Sequence, residues 1–133
     1  MLQMIDIEKM NWFISEYNSY NPLVCTLINI KKNITNYSIE LIIDLECKDV
    51  RFLIPRLIKV LHQCGKQEYQ VHLVDMRKLP LKVVGFNEII YKVPTIVVKE
   101  KEKEIFRIVE KTTNSVEIEK ELELGLKNIQ LKI

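Results

Sequence analysis

The 133-residue sequence is poor in glycine, cysteine and histidine, and it carries almost no surplus charge. Its three glycines fall in no G-x-x-x-x-G-K or G-x-G-x-x-G spacing, which excludes the glycine-rich loops that cradle phosphates. Three cysteines at irregular spacing, Cys25, Cys47 and Cys64, do not make the disulfide framework of a small secreted domain. Metal binding is not expected: His62 and Cys64 stand two apart, on different faces of a helix, and His72 is alone on a strand. Twenty basic residues against eighteen acidic ones leave a formal charge of +2, and the signs are interleaved, as in residues 99–104. Without a basic block, no nucleic-acid partner is expected. No apolar run approaches the ~18–20 residues of a membrane span. Asp6, Glu8 and Lys9 interrupt the first ten residues, so no signal-peptide pattern is seen there. The expectation is a cytoplasmic protein with no membrane partner.

What is present is a globular mixture, 47% hydrophobic and 29% charged, of a length suited to one domain spanning 1–133. Leu2, Ile5, Met10, Phe13, Ile14 and Tyr17 recur at near-helical spacing and predict an amphipathic helix over 2–17. Pro22 and its polar neighbours end that pattern. Residues 23–30 are rich in β-branched side chains and read as a strand, with a short helix as the alternative. Residues 39–45 are almost continuously apolar, as in a central strand covered on both faces. From Lys48 the period changes: Phe52, Leu53, Leu57, Val60 and Leu61 form a helical stripe ending at Gly65, with Pro55 inside the helix. A strand over 69–76, a helix over 81–91 with Val84, Ile89 and Ile90 inward, and a hairpin of 95–98 and 105–109 follow. A last helix, capped by Asn114 or Ser115, runs through Leu126. A βαβ unit followed by ββα is an α/β architecture with a central mixed sheet flanked by helices.

Three features stand in order along this framework. Cys47 lies at a strand-to-helix junction, Pro55 lies inside the helix that follows, and Val93-Pro94-Thr95 opens a later strand. Together they resemble the thioredoxin family. Its members place C-x-x-C at such a junction, carry a proline in the helix, and set a cis proline opposite the active site. The run from Cys47 to Arg56 is similar to the C-G-D-C-R-x-x-x-P-R segment of bacterial thioredoxin-like proteins. The likeness covers roughly residues 37–126, the core; residues 1–36 form an N-terminal extension with no motif. It implies a thioredoxin-like fold, a cis Val93–Pro94 bond, Cys47 as the nucleophile, and a binding surface of Lys48, Val50, Val93, Pro94 and Thr95.

The chain departs from the family where the chemistry resides. Val50 occupies the position of the second, resolving cysteine, so the usual internal disulfide cannot form. Glu46 stands where an aromatic residue is common, Lys48 where a small or turn-forming one is, and Leu41 where thioredoxins often bury an acid. The site is therefore a degenerate, single-cysteine one. Two functions remain open. One is monothiol thiol-disulfide exchange through Cys47 in cell redox homeostasis, with a protein disulfide as partner, no bound cofactor, and glutathione as the candidate co-substrate that releases a mixed disulfide. The paired glycines and following acid with which monothiol glutaredoxins hold glutathione are absent. The other is a non-catalytic module that holds an extended peptide in the groove beside Pro94 by backbone bonding.

No other residue set competes with Cys47. Cys64 lies 17 residues along the same helix, roughly 25 Å away at helical rise, and cannot bridge to it. Cys25 reads as a core residue. Asp44, Glu46 and Asp49 read as solvated charges, and the Lys/Glu turn of the hairpin as a soluble edge.

Overall fold

The computed structural model describes residues 4–86, 88–109 and 117–131. The chain enters through three short helices, α1 (Met4–Glu8), α2 (Asn11–Ser19) and α3 (Val24–Lys31). Strand β1 (Ser38–Ile43), helix α4 (Lys48–Gln63) and strand β2 (Gln70–Leu73) follow. After a long connection come β3 (Thr95–Glu100), β4 (Lys103–Val109) and α5 (Ile118–Leu131). The four strands make one mixed sheet in the order β2-β1-β3-β4, with β1 parallel to β2 and antiparallel to β3. The α/β architecture with helices flanking a central mixed sheet is thus present.

The register assigns each side chain to a face. Ile39 aligns with Val98, Leu41 with Ile96 and Val71, and Ile43 with Leu73, while Val98 and Ile96 align onward with Phe106 and Ile108, all on one apolar face. Helices α4 and α5, which pack against each other, cover this face; Gly125 of α5 lies directly on the Phe106 ring. Alternate residues Glu40, His72, Val97, Lys99 and Arg107 point the other way, as the period of two in a strand requires. From that second face Lys99 bonds the Gly85 carbonyl and Arg107 the Ile89 carbonyl.

Helix α4 is the best-formed element. Its buried residues Val50, Ile54, Leu57, Ile58 and Leu61 repeat at intervals of three and four, and it runs unbroken through Pro55. The predicted stripe is rotated slightly, since Phe52 is exposed and lies beneath the Arg56 guanidinium, 3.9 Å from it. At its end Gly65 adopts φ +83°, and Lys66 N–H donates to Leu61 O at 2.8 Å, closing the helix as a left-handed glycine cap. The hairpin turns through Lys101 and Glu102, both with positive φ, the conformation a two-residue turn between twisted strands requires.

Three expectations are corrected. The helix over 2–17 is two helices: Ile7 and Phe13 are both buried, yet six residues at 100° each would place them on different sides of one continuous helix. The chain breaks at Met10 so that both can face inward. For residues 23–30 the helical alternative holds and the strand does not: α3 spans Val24–Lys31. Thr26 and Ile30, four apart, are its buried side, and Leu23 N–H at its start donates to the Glu119 carboxylate at 2.8 Å. Residues 81–91 form no helix. Gly85 takes φ +95°, Val84 and Ile89 are exposed rather than inward, and the segment closes on itself through a single bridge between Leu81 and Ile90. Strand β2 is also shorter than expected, because Asp75 caps a tight turn at Met76–Lys78. Asn114 and Ser115 lie outside the described residues.

Within the expected N-terminal extension, residues 4–36 pack onto the rest of the fold. α2 packs on α4 and α3 on α5, and Ile7, Phe13, Ile30 and Ile34 join the same core as the sheet. Buried Glu119 of α5 accepts from the Tyr20 hydroxyl as well as from Leu23 N–H, tying the start of the chain to its last helix.

Candidate functional site

Cys47 sits at the N-cap of α4, where its carbonyl accepts the first helical bond from Arg51 N–H at 3.1 Å. Its own N–H donates to Asp44 O at 3.1 Å, which turns the chain from β1 into the helix. The side chain is half-buried, and its thiol lies 3.9 Å from the carbonyl oxygen of Val93. The Val93–Pro94 bond is cis, as expected from the sequence. Both residues are buried, and the Thr95 hydroxyl donates to Lys92 O at 2.6 Å, closing the turn just ahead of β3. Residues far apart in the chain, Cys47 and Val93-Pro94-Thr95, are therefore brought together.

The other predicted binding residues divide. Lys48 is exposed at the mouth of the site, whereas Val50 is fully buried on the inner stripe of α4. Arg51 turns away: its Nε donates to Leu45 O at 2.7 Å, and the guanidinium lies 5.5 Å over Trp12. Asp44 is not a simply solvated charge. One of its oxygens accepts from Glu46 N–H and the other from Met76 N–H, each at 2.8 Å, joining the ends of β1 and β2. A cleft of about 510 Å³ opens beside Glu46, lined by Asp44, Val74, Asp75, Met76 and Arg77. Asp75 is held below the usual carboxylate range by hydrogen bonds from the Arg77 side chain and backbone.

The remaining cysteines play no part in this site. Cys64 is buried at the far end of α4 and donates to Leu27 O at 3.6 Å; burial pushes its thiol up to about 11. Cys25 is exposed on α3, a correction to its reading as core: Thr26 and Ile30 take the inner side of that short helix. Both histidines are engaged. His62 Nδ1 meets the Tyr17 hydroxyl at 2.9 Å, and His72 Nε2 meets Glu40 Oε1 at 2.8 Å. Among the described residues no three His, Cys, Asp or Glu side chains are arranged to hold a metal ion. No described helix is long and apolar enough to cross a membrane.

One group was missed by sequence reasoning. Glu40 and Lys99 are both buried, with Nζ 2.8 Å from Oε2, and Lys99 also donates to Gly85 O at 2.8 Å and lies 4.3 Å over the Phe86 ring. Phe86 in turn packs edge-on against His72 at 4.9 Å. The available signal was one charge of each sign inside two otherwise apolar strands. Only the register shows that they share a face.

No family model matches the chain, and no curated protein does. A crystal structure of a protein of unknown function from Pseudomonas aeruginosa is similar in fold, with a TM-score of 0.54 and 12% identity over 88% of this chain and 76% of that one. At that identity the likeness speaks for the α/β fold alone.

Proposed function

We propose that this chain is a thioredoxin-like protein that performs monothiol thiol-disulfide exchange through Cys47. The observation that carries the reading is the placement of the Cys47 thiol at the first turn of α4, 3.9 Å from the carbonyl that precedes cis Pro94. The sheet order, with β1 parallel to β2 and antiparallel to β3, supports the same fold assignment. In the reaction the Cys47 thiolate attacks one sulfur of a partner disulfide. A new S–S bond forms to Cys47, the old one breaks, and the second partner sulfur leaves as a thiolate that takes up a proton. With Val50 in place of a resolving cysteine, an external thiolate of the glutathione class attacks the partner sulfur of the mixed disulfide; a new S–S bond joins it to the partner, the bond to Cys47 breaks, and Cys47 leaves as the thiolate. First-turn N–H groups of α4 supply partial positive charge beside the reacting sulfur. A cytoplasmic setting, where thiols are kept reduced, suits such a cycle.

Incubating wild type and Cys47→Ser with glutathione disulfide tests this. Because Cys25 is also free and exposed, the adduct is mapped by peptide mass spectrometry: one at Cys47 of wild type that clears on adding glutathione, whatever forms at Cys25 in both proteins, is the expected result. No adduct at Cys47 rules the exchange out.

The fully buried Val50 favours a second reading, in which the scaffold binds without turnover. An extended peptide would then pair with the backbone beside Pro94, and Cys47→Ser would retain the same peptide affinity as wild type.

A further inference from the structure

We propose that Lys99 and Arg107 are positioning residues for the Cys47 site, acting through the backbone of the connection between β2 and β3. This rests on the reading of Cys47 as the reactive group.

That connection ends at Val93, whose carbonyl faces the thiol, yet almost no regular structure fixes it. Between the turn at Met76–Lys78 and Thr95, the described residues hold one isolated bridge, Leu81 to Ile90, with N–H···O bonds of 3.0 and 2.8 Å. Besides the Thr95 hydroxyl on Lys92 O, two long side chains from the sheet anchor it. Lys99 reaches from β3 to the Gly85 carbonyl and lies against Phe86. Arg107 reaches from β4 to the Ile89 carbonyl at 3.1 Å. Tyr91 and Lys92, which lead directly into Val93, are exposed. The Thr95 hydroxyl holds the Lys92 carbonyl at the end of the connection, and Lys99 and Arg107 hold it further upstream, at Gly85 and Ile89.

Each cation is itself oriented. Glu40 accepts from Lys99 on one oxygen and meets His72 on the other, and Glu104 grips Arg107 with both oxygens at 2.7 and 2.8 Å. Replacing a buried ion pair by apolar side chains is often neutral or stabilising, so the Glu40–Lys99 pair is poorly explained by stability alone. What an apolar pair could not supply is a donor aimed at one backbone carbonyl. A lysine has three donors, and two of those of Lys99 are assigned here, one to the carboxylate and one to the strap.

The test compares wild type, Lys99→Met and Arg107→Gln. Lys99→Met keeps the aliphatic stem against Phe86 and removes the donor. Arg107→Gln is the milder change and serves if Lys99→Met fails to fold. Two readouts are taken. Hydrogen exchange of the Phe86 and Ile90 amides, bonded to Val83 O and Leu81 O, is expected to quicken ~10-fold while amides in the middle of α4 hold. Alkylation of Cys47 by neutral iodoacetamide is expected to quicken about threefold as the Val93 carbonyl lifts from the thiol, with buried Cys64 as the internal control. Faster exchange with unchanged Cys47 alkylation overturns the proposal, since the anchors would then hold the strap without governing the site. Unchanged exchange overturns it as well. Alkylation needs no disulfide partner. If wild type forms no glutathione adduct but the variants still change Cys47 access, the exchange reading fails and the positioning role stands.

Discussion

Lys99 and Glu40 form a buried ion pair, Nζ to Oε2 at 2.8 Å, on the face of the sheet turned away from α4. Through the same ammonium the pair also holds the connection between β2 and β3, at the Gly85 carbonyl.

The first prediction concerns acid stability. Burial by itself raises the Glu40 carboxyl, but hydrogen bonds and charge from Lys99 and His72 outweigh it and leave the group below its ordinary value. A carboxyl held lower in the folded than in the unfolded state contributes fully above its unfolded value. That contribution fades as pH falls through the folded one. Urea midpoints followed from pH 7 down to about pH 3 should therefore fall more steeply in wild type than in Glu40→Gln. At neutral pH the variant should already be about 3 kcal/mol less stable, because Lys99 loses its partner. Parallel pH profiles would remove Glu40 from the account.

Gly125 supplies a second. Alanine in a helix interior ordinarily gains about 1 kcal/mol over glycine. Here a Cβ would run into the Phe106 ring, so Gly125→Ala should destabilise by about 1–2 kcal/mol instead. Adding Phe106→Leu should recover most of the loss in a double-mutant comparison of thermal midpoints. Stabilisation by the single change would mean that the ring yields freely.

Cysteine labelling gives a third. At pH 8 the native protein should take up a thiol reagent at Cys25 and Cys47 but not at Cys64, which is buried and pushed up to about 11. Mass spectrometry should show a third label only after unfolding in urea. Rapid native labelling of Cys64 would contradict its packing against Leu27.

A fourth adds a second thiol to the run that begins at Cys47. Val50 is buried on the same helix, three residues from Cys47, so Val50→Cys should permit an internal disulfide and bring about insulin-type disulfide reduction that wild type lacks. Continued inactivity of a folded, reduced variant would show that the departures at Glu46 and Lys48 also matter.

Much of the fold could be read from residue patterns, and the reasons differ by element. Helix α4 and the β3–β4 hairpin were legible because their apolar periods are long and unbroken. The pairing of Cys47 with Val93-Pro94 was legible only through resemblance, since nothing local in either run points to the other. α3 stayed ambiguous between strand and helix because its β-branched residues satisfy strand composition, while its two buried positions are too few to announce a helix. The 81–91 segment misled for another reason. Its apolar residues are spaced as in a helix, but Gly85 turns the chain back, and polar side chains from distant strands fix it. Such long-range polar contacts leave no periodic trace in a sequence.

Glu119 has one further consequence. It bonds Tyr20 and Leu23 across separations of 99 and 96 residues, and α3 packs on α5 as well. During synthesis α2 can dock as soon as α4 is made, but α3 and the segment before it emerge long before α5, the helix that receives them. The apolar side of α3 must therefore stay bare until α5 has been made.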